Sequence, residues 1–290
     1  MYAKINGVDL FFDIAGKQCV PDGSVMKKKP VCFVLHGGPG CSHYHFLPAL
    51  LELAETMQLV FIDHRGCGLS GKAPVETYSM EQNADDADAL RQYLGLDKIF
   101  LLGMSYGGFV AQKYALKYQE HLQGLILCST CPSYRYFETS PIAVKKLGTP
   151  EQVEFQQRSR ANFHKRTADD MRTSFRMMGS LYHYNYDKQA VEDSTARAIY
   201  SPEVSMHQRS AAGDLRDFNY LPELHKITVP TIIFGAEQDH ITPIEHTYEI
   251  AGEIKHAELV VISQSGHEIF DDHPEIVFPA IRNFISKYDV

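Results

Sequence analysis

The stretch IFLLGMSYGGFVAQKYALKY, residues 99–118, is the part of this 290-residue chain that indicates its fold most directly. The apolar run at 99–102 is typical of a strand buried on both faces, and residues 109–118 have the apolar spacing of a helix. Between them, Gly103-Met104-Ser105-Tyr106-Gly107 forms a G-x-S-x-G pattern. At a junction from strand to helix, this pattern predicts a sharp turn that presents the hydroxyl of Ser105 above the sheet.

Further strands and helices alternate on both sides of this turn. Apolar runs bounded by turn residues cover 10–14, 31–35, 59–62, 122–127, 231–234 and 258–262. Ser79 and Gln82 have the spacing of a capping box, which predicts a helix that ends near Leu94, and a last helix is expected from about Pro274 to Tyr288. Strands alternating with helices predict an α/β fold with a mostly parallel central sheet and helices on both faces.

The alternation stops after Pro132. Residues 133–220 are rich in Arg, Gln, Ser, Met and Tyr, with helical spacing and no convincing strand. We therefore expect a helical cap at 133–220, inserted into a core formed by residues 1–132 and 221–290. The cap holds 13 Lys and Arg against 11 Asp and Glu, whereas the whole chain has a net charge of −8, so the core is the acidic part.

Composition narrows the function classes. Hydrophobic residues at 44% and charged residues at 22% exclude a disordered chain. The net negative charge opposes binding to nucleic acid and to anionic lipid. No window reaches the roughly 20 apolar residues of a membrane helix, and from residues 1–6 no secretory signal is expected. Because six scattered cysteines do not suggest a disulfide framework, a cytoplasmic location is expected. The run Lys27-Lys28-Lys29 is interpreted as a solvated turn.

A serine hydroxyl is a weak nucleophile, so Ser105 requires a base and a group that orients the base. His267 follows the last predicted strand in the sequence Ser265-Gly266-His267-Glu268, and we expect it to be the base. Asp239 follows the strand at 231–234 and is the expected orienting carboxylate. Glu237, two residues earlier, is the competitor for that role.

The glycine loop His36-Gly37-Gly38-Pro39-Gly40 follows the predicted strand at 31–35. Consecutive glycines leave backbone N–H groups free to face an oxyanion, so the amides of Gly38 and Tyr106 are the expected donors. Such a mechanism needs no cofactor. No metal site is expected, because His43 and His45 alternate like ligands but have no carboxylate or cysteine near them in the sequence.

Two groups of residues lie near this predicted pocket and leave alternatives open. Cys41 and Cys67 are in loops that border it, which suggests sensitivity to thiol reagents. The Tyr and Met side chains of the cap either line an apolar substrate pocket or pack within the cap; they are Met177, Met178, Tyr182, Tyr184 and Tyr186.

Together these motifs resemble the α/β-hydrolase superfamily and, within it, the prolyl aminopeptidase (proline iminopeptidase) family of serine peptidases. The resemblance covers nearly the whole chain. The matching features are the glycine loop at 36–40, Asp63-His64-Arg65-Gly66-Cys67-Gly68-Leu69-Ser70, the serine turn, the cap after Pro132, Asp239 and Gly266-His267. This resemblance implies that Ser105, Asp239 and His267 form a catalytic triad. It also implies that the cap covers the active site and selects the substrate. An intact triad argues against a binding protein that has lost turnover.

One departure from that family concerns the substrate's ammonium group. The resemblance implies two acidic side chains that bind it, one from the last cap helix and one directly after the triad aspartate. Here these positions hold Gln208 and His240. Their loss removes two charge-assisted hydrogen bonds of about 1.5–3 kcal/mol each, unless Glu203, Asp214 or Glu237 compensates. We expect short peptides that lose an N-terminal residue as the substrate, because the resemblance covers nearly the whole chain. The alternative is a small carboxylic ester or lactone, which Gln208 and His240 favour.

Overall fold

A mixed β-sheet forms the centre of the molecule, as described over residues 1–289 by a computed structural model. The strands are β1 Tyr2–Ile5, β2 Val8–Ala15, β3 Cys19–Asp22, β4 Val25–Lys28, β5 Val31–Leu35, β6 Gln58–Ile62, β7 Ile99–Met104, β8 Leu122–Cys128, β9 Thr231–Ala236 and β10 Glu258–Ile262. Eight of them form one sheet in the order β1-β2-β6-β5-β7-β8-β9-β10. The pairs from β6 through β10 are parallel, and β1 and β2 join antiparallel at one edge. The carboxyl ends of six strands therefore lie along one edge.

Residues 1–289 form twelve α-helices, some of which cover the two faces of this sheet. They are α1 Leu47–Leu50, α2 Met80–Tyr93, α3 Tyr106–Tyr118, α4 Tyr136–Leu147, α5 Pro150–Ala161, α6 Ala168–Met177, α7 Gly179–Tyr182, α8 Lys188–Arg197, α9 Pro202–Arg209, α10 Ile244–Glu253, α11 Ile269–Asp272 and α12 Pro274–Tyr288. One apolar layer joins the sheet to α2, α3 and α10, and the other joins it to α1 and α12. The predicted α/β fold is confirmed.

The central strands have no polar face because both of their sides are covered. All five residues of β5 are buried, and they alternate between the two layers. Phe33 and Leu35 pack toward α2 and α3, whereas Cys32 and Val34 pack toward α12. Continuous apolar runs of this kind are expected for strands buried on both faces, which is why the sequence pattern located them.

The N-terminal region differs from the sequence prediction. Lys27 and Lys28 are not in a turn: they belong to β4, which pairs with β3 as a hairpin separate from the main sheet. The turn of this hairpin contains Gly23, whose φ is +60°. Because β4 is exposed along its whole length, it has no alternation of apolar and polar residues that could identify it.

The helix α2 begins where its cap predicted. The Ser79 side chain accepts a hydrogen bond from the Gln82 amide at 3.1 Å. The reciprocal half of the capping box does not form, because the Gln82 side chain donates to Asp86 instead. A single side-chain cap is thus sufficient to start this helix.

Residues 133–220, called here the cap segment, contain α4 to α9. The two ends of the segment pair with each other: Tyr134 N–H donates to Phe218 C=O, and Tyr220 N–H donates to Pro132 C=O, both at 2.8 Å. These bonds close the neck of the segment above the sheet. Along residues 1–289, no helix is both long enough and apolar enough to cross a bilayer.

Candidate active site

Ser105 occupies a strained turn between β7 and α3. Its backbone has φ 55° and ψ −121°, a region that non-glycine residues rarely adopt. Two hydrogen bonds hold it there: Ser105 N–H donates to Cys128 C=O at 3.0 Å, and Thr130 Oγ1 donates to Ser105 C=O at 2.9 Å. The neighbouring strand β8 and the loop that follows it therefore fix the position of the serine.

The two glycines of the G-x-S-x-G pattern allow this turn to pack. A Cβ atom on Gly107 would lie 2.0 Å from the Leu35 carbonyl oxygen, and one on Gly103 would lie 2.4 Å from the Gly107 carbonyl oxygen. Both contacts are with backbone, which has little freedom to move. Any side chain at these positions would force the start of α3 away from β5.

His267 and Asp239 form a buried hydrogen-bonded pair at the same edge of the sheet. His267 Nδ1 lies 2.7 Å from Asp239 Oδ2. The other carboxylate oxygen accepts from the amides of Ile241 and Thr242 at 2.7 and 2.9 Å. Glu237, the competing carboxylate, is exposed and has no contact with His267. Of the two candidates, Asp239 is therefore the partner of the histidine.

The electrostatics of the pair favour its charged form. Burial opposes ionisation of Asp239, but the ring of His267 and the amide of Thr242 hold the pKa of that carboxyl below its ordinary value. Burial likewise opposes protonation of His267, yet the charge and hydrogen bond of Asp239 raise the pKa of its imidazole. An imidazolium formed at His267 would thus be stabilised.

Ser105 and His267 both lie at the carboxyl edge, after β7 and β10. Within residues 1–289 the Ser105 hydroxyl makes no side-chain hydrogen bond, and His267 bonds to Asp239. Both residues are largely buried. A direct hydrogen bond between the two residues is absent among residues 1–289, and catalytic bonds of this kind often form only when substrate binds.

The glycine loop after β5 passes directly beside Ser105. A Cβ atom on Gly37 would be 3.2 Å from the Ser105 Cβ. Neither the Gly38 amide nor the Tyr106 amide donates a hydrogen bond to any acceptor in residues 1–289. The His36 side chain holds this loop in place. Its Nδ1 lies 2.8 Å from the Gly37 carbonyl oxygen, and its Nε2 accepts a hydrogen bond from the His64 amide at 3.1 Å. The two free amides are thus available to an oxyanion.

The cap segment rests on the loop that carries His267. The Tyr182 carbonyl accepts a bond from Glu268 N–H at 2.9 Å, and the Tyr182 ring centroid lies 5.8 Å from that of His267. A Cβ atom on Gly266 would be 2.4 Å from the Tyr182 carbonyl oxygen. Only glycine before His267 permits this approach, so the Gly-His dipeptide is needed for cap packing.

His43 and His45 have buried carboxylate partners that are remote in sequence. His43 Nδ1 is 2.9 Å from Asp63 Oδ1, and His45 Nε2 is 3.2 Å from Glu268 Oε1. The sequence pattern could not reveal these pairs, because His45 and Glu268 are brought together by the fold. Over the described residues, 1–289, no group of three potential metal ligands occurs.

The expected sensitivity to thiol reagents is not supported by the structure. Cys41 and Cys67 are both buried. Burial raises the pKa of the Cys41 thiol to about 12 and that of Cys67 well above its usual value. Neutral, enclosed thiols react poorly, so position beside a pocket does not by itself make a cysteine reactive.

A cavity of about 420 Å³, called here the cap cavity, lies between the cap segment and the residues that follow Asp239. Four arginines line it: Arg160, Arg166, Arg209 and Arg216. The rest of its wall is mostly aromatic, aliphatic or neutral polar, and within residues 1–289 it includes no Asp or Glu. Met178 and Tyr182 line the cap cavity, which agrees with the predicted role of the cap Tyr and Met side chains in lining a pocket. Tyr184 and Tyr186 are exposed instead.

The three predicted substrate-binding residues are separated in the structure. His240 is buried and lines the cap cavity, with its Nδ1 3.0 Å from Leu181 C=O. Gln208 is buried elsewhere: its Nε2 donates to the Tyr106 hydroxyl at 2.6 Å. Glu237 is exposed and does not line the cavity. Of these three, only His240 reaches the cavity.

Neither of the other carboxylates proposed as compensation lines the cap cavity. Glu203 pairs with Lys72 at 3.1 Å, and Asp214 accepts a bond from the Met80 amide at the start of α2. The residue after Gln208 is Arg209, which does line it. Sequence reasoning missed the arginines; the signal present was a cap segment with more basic than acidic residues inside an acidic chain.

Comparison with known proteins agrees with this architecture. The family model of the alpha/beta hydrolase fold matches residues 30–274. The chain is 30% identical over 294 residues to proline iminopeptidase PfmaB of Pestalotiopsis fici, with 99% of each chain covered. It is 27% identical to the proline iminopeptidase of Thermoplasma volcanium, with 94% of this chain and 92% of the relative covered.

A solved structure extends the similarity to three dimensions. The proline iminopeptidase of Mycobacterium smegmatis superposes with a TM-score of 0.78 at 20% identity, covering 100% of this chain and 98% of that one. At this identity the match shows the fold. Taken with the family match and the whole-length relatives, it shows that this chain belongs to the α/β-hydrolase family and is a hydrolase related to the prolyl aminopeptidases.

Proposed function

We propose that this chain is a serine hydrolase that works by acyl transfer through Ser105, His267 and Asp239. His267 takes the proton from the Ser105 hydroxyl as its oxygen attacks a carbonyl carbon. Asp239 then stabilises the imidazolium and holds it in orientation. The proton passes from His267 to the leaving group, and the acyl group stays bound to Ser105.

The second half of the reaction returns the enzyme to its starting state. A water molecule loses a proton to His267 and attacks the acyl-enzyme, and Ser105 regains its proton as the carboxylic acid leaves. In both halves the amides of Gly38 and Tyr106 stabilise the negative oxygen of the tetrahedral intermediate. One such donor contributes about 10²–10³-fold in kcat.

The observation that carries this proposal is the buried bond of 2.7 Å between His267 and Asp239, at the same edge as the strained Ser105. A strained backbone conformation persists only where the surroundings enforce it, and it is common at active sites. The free amides beside Ser105 add an independent element of the same chemistry. A structural role alone would not require all three together.

Removal of N-terminal residues from short peptides is the first substrate candidate. It is supported by relatives along the whole chain that are named proline iminopeptidase. The cap segment over the triad would exclude folded proteins and admit short peptides. This candidate requires a group that binds the substrate's ammonium.

Hydrolysis of a small carboxylic ester or lactone is the second candidate, and the lining of the cap cavity favours it. Burial lowers the pKa of His240 to about 4, so its ring is neutral near pH 7. The arginines of the cavity carry positive charge, and no carboxylate in residues 1–289 lines it. An ammonium group would find no opposite charge in this cavity, whereas an ester or lactone needs none.

Steady-state hydrolysis of a proline arylamide and of a short-chain nitrophenyl ester separates the two candidates. We expect Ser105-dependent cleavage of the ester and no cleavage of the arylamide above that of Ser105→Ala. Efficient cleavage of the arylamide would establish an aminopeptidase instead, and would mean that other groups bind the ammonium.

Covalent labelling tests the serine mechanism itself. A fluorophosphonate should modify Ser105, identified by mass spectrometry of the digested protein, and should inactivate the enzyme in proportion to labelling. Asp239→Asn should slow this labelling, because the variant no longer orients His267 as a base. Labelling elsewhere, with Ser105 unmodified and activity lost, would exclude the proposed mechanism.

A further inference from the structure

The positive charge of the cap cavity is not neutralised by the protein. Within residues 1–289, none of its four arginines is within ion-pair distance of an Asp or Glu. Asp170 acts electrostatically on Arg166, but its carboxylate is engaged with Thr167 in the capping box of α6. Burial and the neighbouring Arg209 lower the pKa of Arg166. The fold therefore holds four guanidinium groups close together although they repel one another.

Three of the four guanidinium groups lie over an aromatic ring rather than against an anion, and that of Arg166 donates to the Ser174 hydroxyl. Arg160, Arg209 and Arg216 each lie over the ring of Phe137, at 5.9, 5.8 and 5.1 Å from its centroid. Arg216 Nε also donates to the Arg209 carbonyl at 2.8 Å. These contacts orient the three arginines without neutralising their positive charge.

Hydrogen-bonding capacity also remains free in the cavity wall. In the described part of the chain, the Nε atoms of Arg166 and Arg209 are buried and find no acceptor, and His240 Nε2 has no partner. With its Nδ1 directed at the Leu181 carbonyl, a neutral His240 leaves its Nε2 as an acceptor. Buried polar groups without partners are uncommon in proteins, and of these three only the Nε–H donors of Arg166 and Arg209 suit an anion, because His240 Nε2 is itself an acceptor.

The cavity adjoins the predicted reaction centre. His240 directly follows Asp239, and Tyr182 lies between the cavity and His267, with ring centroids 4.8 Å from His240 and 5.8 Å from His267. Arg166 and Arg209 also act electrostatically on the thiol of Cys41, the residue that follows the glycine loop. A molecule in the cavity is therefore one side chain away from the triad.

We infer that the cap cavity binds an anionic group of the substrate, a carboxylate or a phosphate, located several bonds from the carbonyl that Ser105 attacks. This inference rests on the proposed function, and it names the substrate class. Arg166 and Arg209, the less exposed of the four arginines, are the principal ligands. Guanidinium groups match carboxylate and phosphate oxygens with two parallel hydrogen bonds. The aromatic and aliphatic parts of the wall accommodate the carbon chain between the anion and the ester or amide.

Three methyl esters with the same chain length test this specificity. Monomethyl adipate has a terminal carboxylate, methyl hexanoate a terminal methyl group and methyl 6-aminohexanoate a terminal ammonium. We expect kcat/KM to be highest for monomethyl adipate, by about 10-fold or more over methyl hexanoate, and lowest for the amine. Equal values for the first two esters would overturn the inference.

Substitution of the arginines assigns the effect to the cavity. Arg166→Gln and Arg209→Gln should each lower the ratio of kcat/KM between the adipate and hexanoate esters toward 1, by up to the whole preference of about 10-fold and mainly through KM. Arg166→Lys keeps the charge and should retain part of the preference. Arg197→Gln is the matched control, because Arg197 is an exposed cap residue outside the cavity. An unchanged ratio in both Gln variants would exclude the cavity as its origin.

Direct binding separates failure of this inference from failure of the proposed mechanism. Isothermal titration of Ser105→Ala with adipate and with inorganic phosphate requires no turnover. Binding of either anion that is lost in Ser105→Ala combined with Arg166→Gln would support the site and identify the preferred anion. Absence of binding by both would overturn the inference, even if wild type hydrolyses all three esters. Conversely, the protein could bind an anion although hydrolysis by wild type does not depend on Ser105. That result would refute the proposed acyl-transfer mechanism and would still support the anion site in the cap cavity.

Discussion

The carboxyl edge of the sheet and the cap cavity differ in how their polar groups are satisfied. At the edge, the carboxylate of Asp239 has a partner for each oxygen, and its histidine is held at 2.7 Å. In the cavity, arginines without carboxylate partners in residues 1–289 face open space, and two of them have buried Nε atoms without acceptors. The His267–Asp239 pair is complete without a ligand, whereas the cavity has unpaired positive charge to offer one.

This difference assigns the two regions separate tasks. A preorganised edge stabilises charge that develops during the reaction and needs no rearrangement at that moment. A cavity with unused charge selects which molecule reaches the edge. The relatives named proline iminopeptidase align over nearly the whole chain, so a change of substrate in this protein would not require a change of fold.

Ser105→Ala should produce the largest effect, because it removes the nucleophile from the edge. We expect kcat to fall by about 10⁴-fold or more, with the urea unfolding midpoint unchanged. Steady-state hydrolysis of methyl hexanoate measures the first quantity and circular dichroism the second. A mutant with full activity would show that the edge does not perform the reaction.

Asp239→Asn should lower kcat by about 10³–10⁴-fold and also move the pH profile. His267 must be neutral to act as a base, and Asp239 raises its pKa above 6.5, so wild-type kcat/KM is lost as the pH falls through that raised value. Without the carboxylate the pKa of His267 falls, and the acidic limb moves to lower pH. A limb that stays in place would mean that another group controls it.

Gly107→Ala tests the packing of the edge rather than its chemistry. Its new methyl group would meet the Leu35 carbonyl at 2.0 Å, so we expect a loss of about 3 kcal/mol in the free energy of unfolding, roughly 100-fold in the equilibrium. Gly252→Ala is the control: Gly252 lies in α10 with open space around its Cβ position. The Gly252→Ala variant should gain about 0.5–1 kcal/mol in the free energy of unfolding, because alanine favours a helix more than glycine does. Equal effects in urea unfolding would contradict the packing argument.

The same contrast explains what the sequence could predict. Ser105, His267 and Asp239 follow strands recognisable as continuous apolar runs, and parallel strands bring their carboxyl ends to one edge whatever the connecting segments do. The arginines of the cap cavity lie on several short elements, and their convergence depends on how those elements pack. His45 and Glu268 show the same limit, since 223 positions separate two residues that form one buried pair.

Salt should distinguish the cavity from the edge by a smaller effect. Raising NaCl from about 50 to about 500 mM shortens the screening length from roughly 14 to roughly 4 Å. We expect kcat/KM for monomethyl adipate to fall about threefold or more, because its carboxylate is recognised by charge. The value for methyl hexanoate should change little. Parallel decreases for both esters would point to a general effect of salt on the protein rather than on the cavity.

Glu237→Gln should have the smallest effect, and it sharpens the assignment of the edge. Glu237 is two residues from Asp239 and was its competitor by position, but its side chain is exposed and outside the cap cavity. Substitutions at exposed sites without partners change stability little, so kcat/KM for all three methyl esters should stay within about twofold of wild type. A loss comparable to that of Asp239→Asn would mean that the loop after β9 rearranges during catalysis and that Glu237, rather than Asp239, orients His267 in the reacting enzyme.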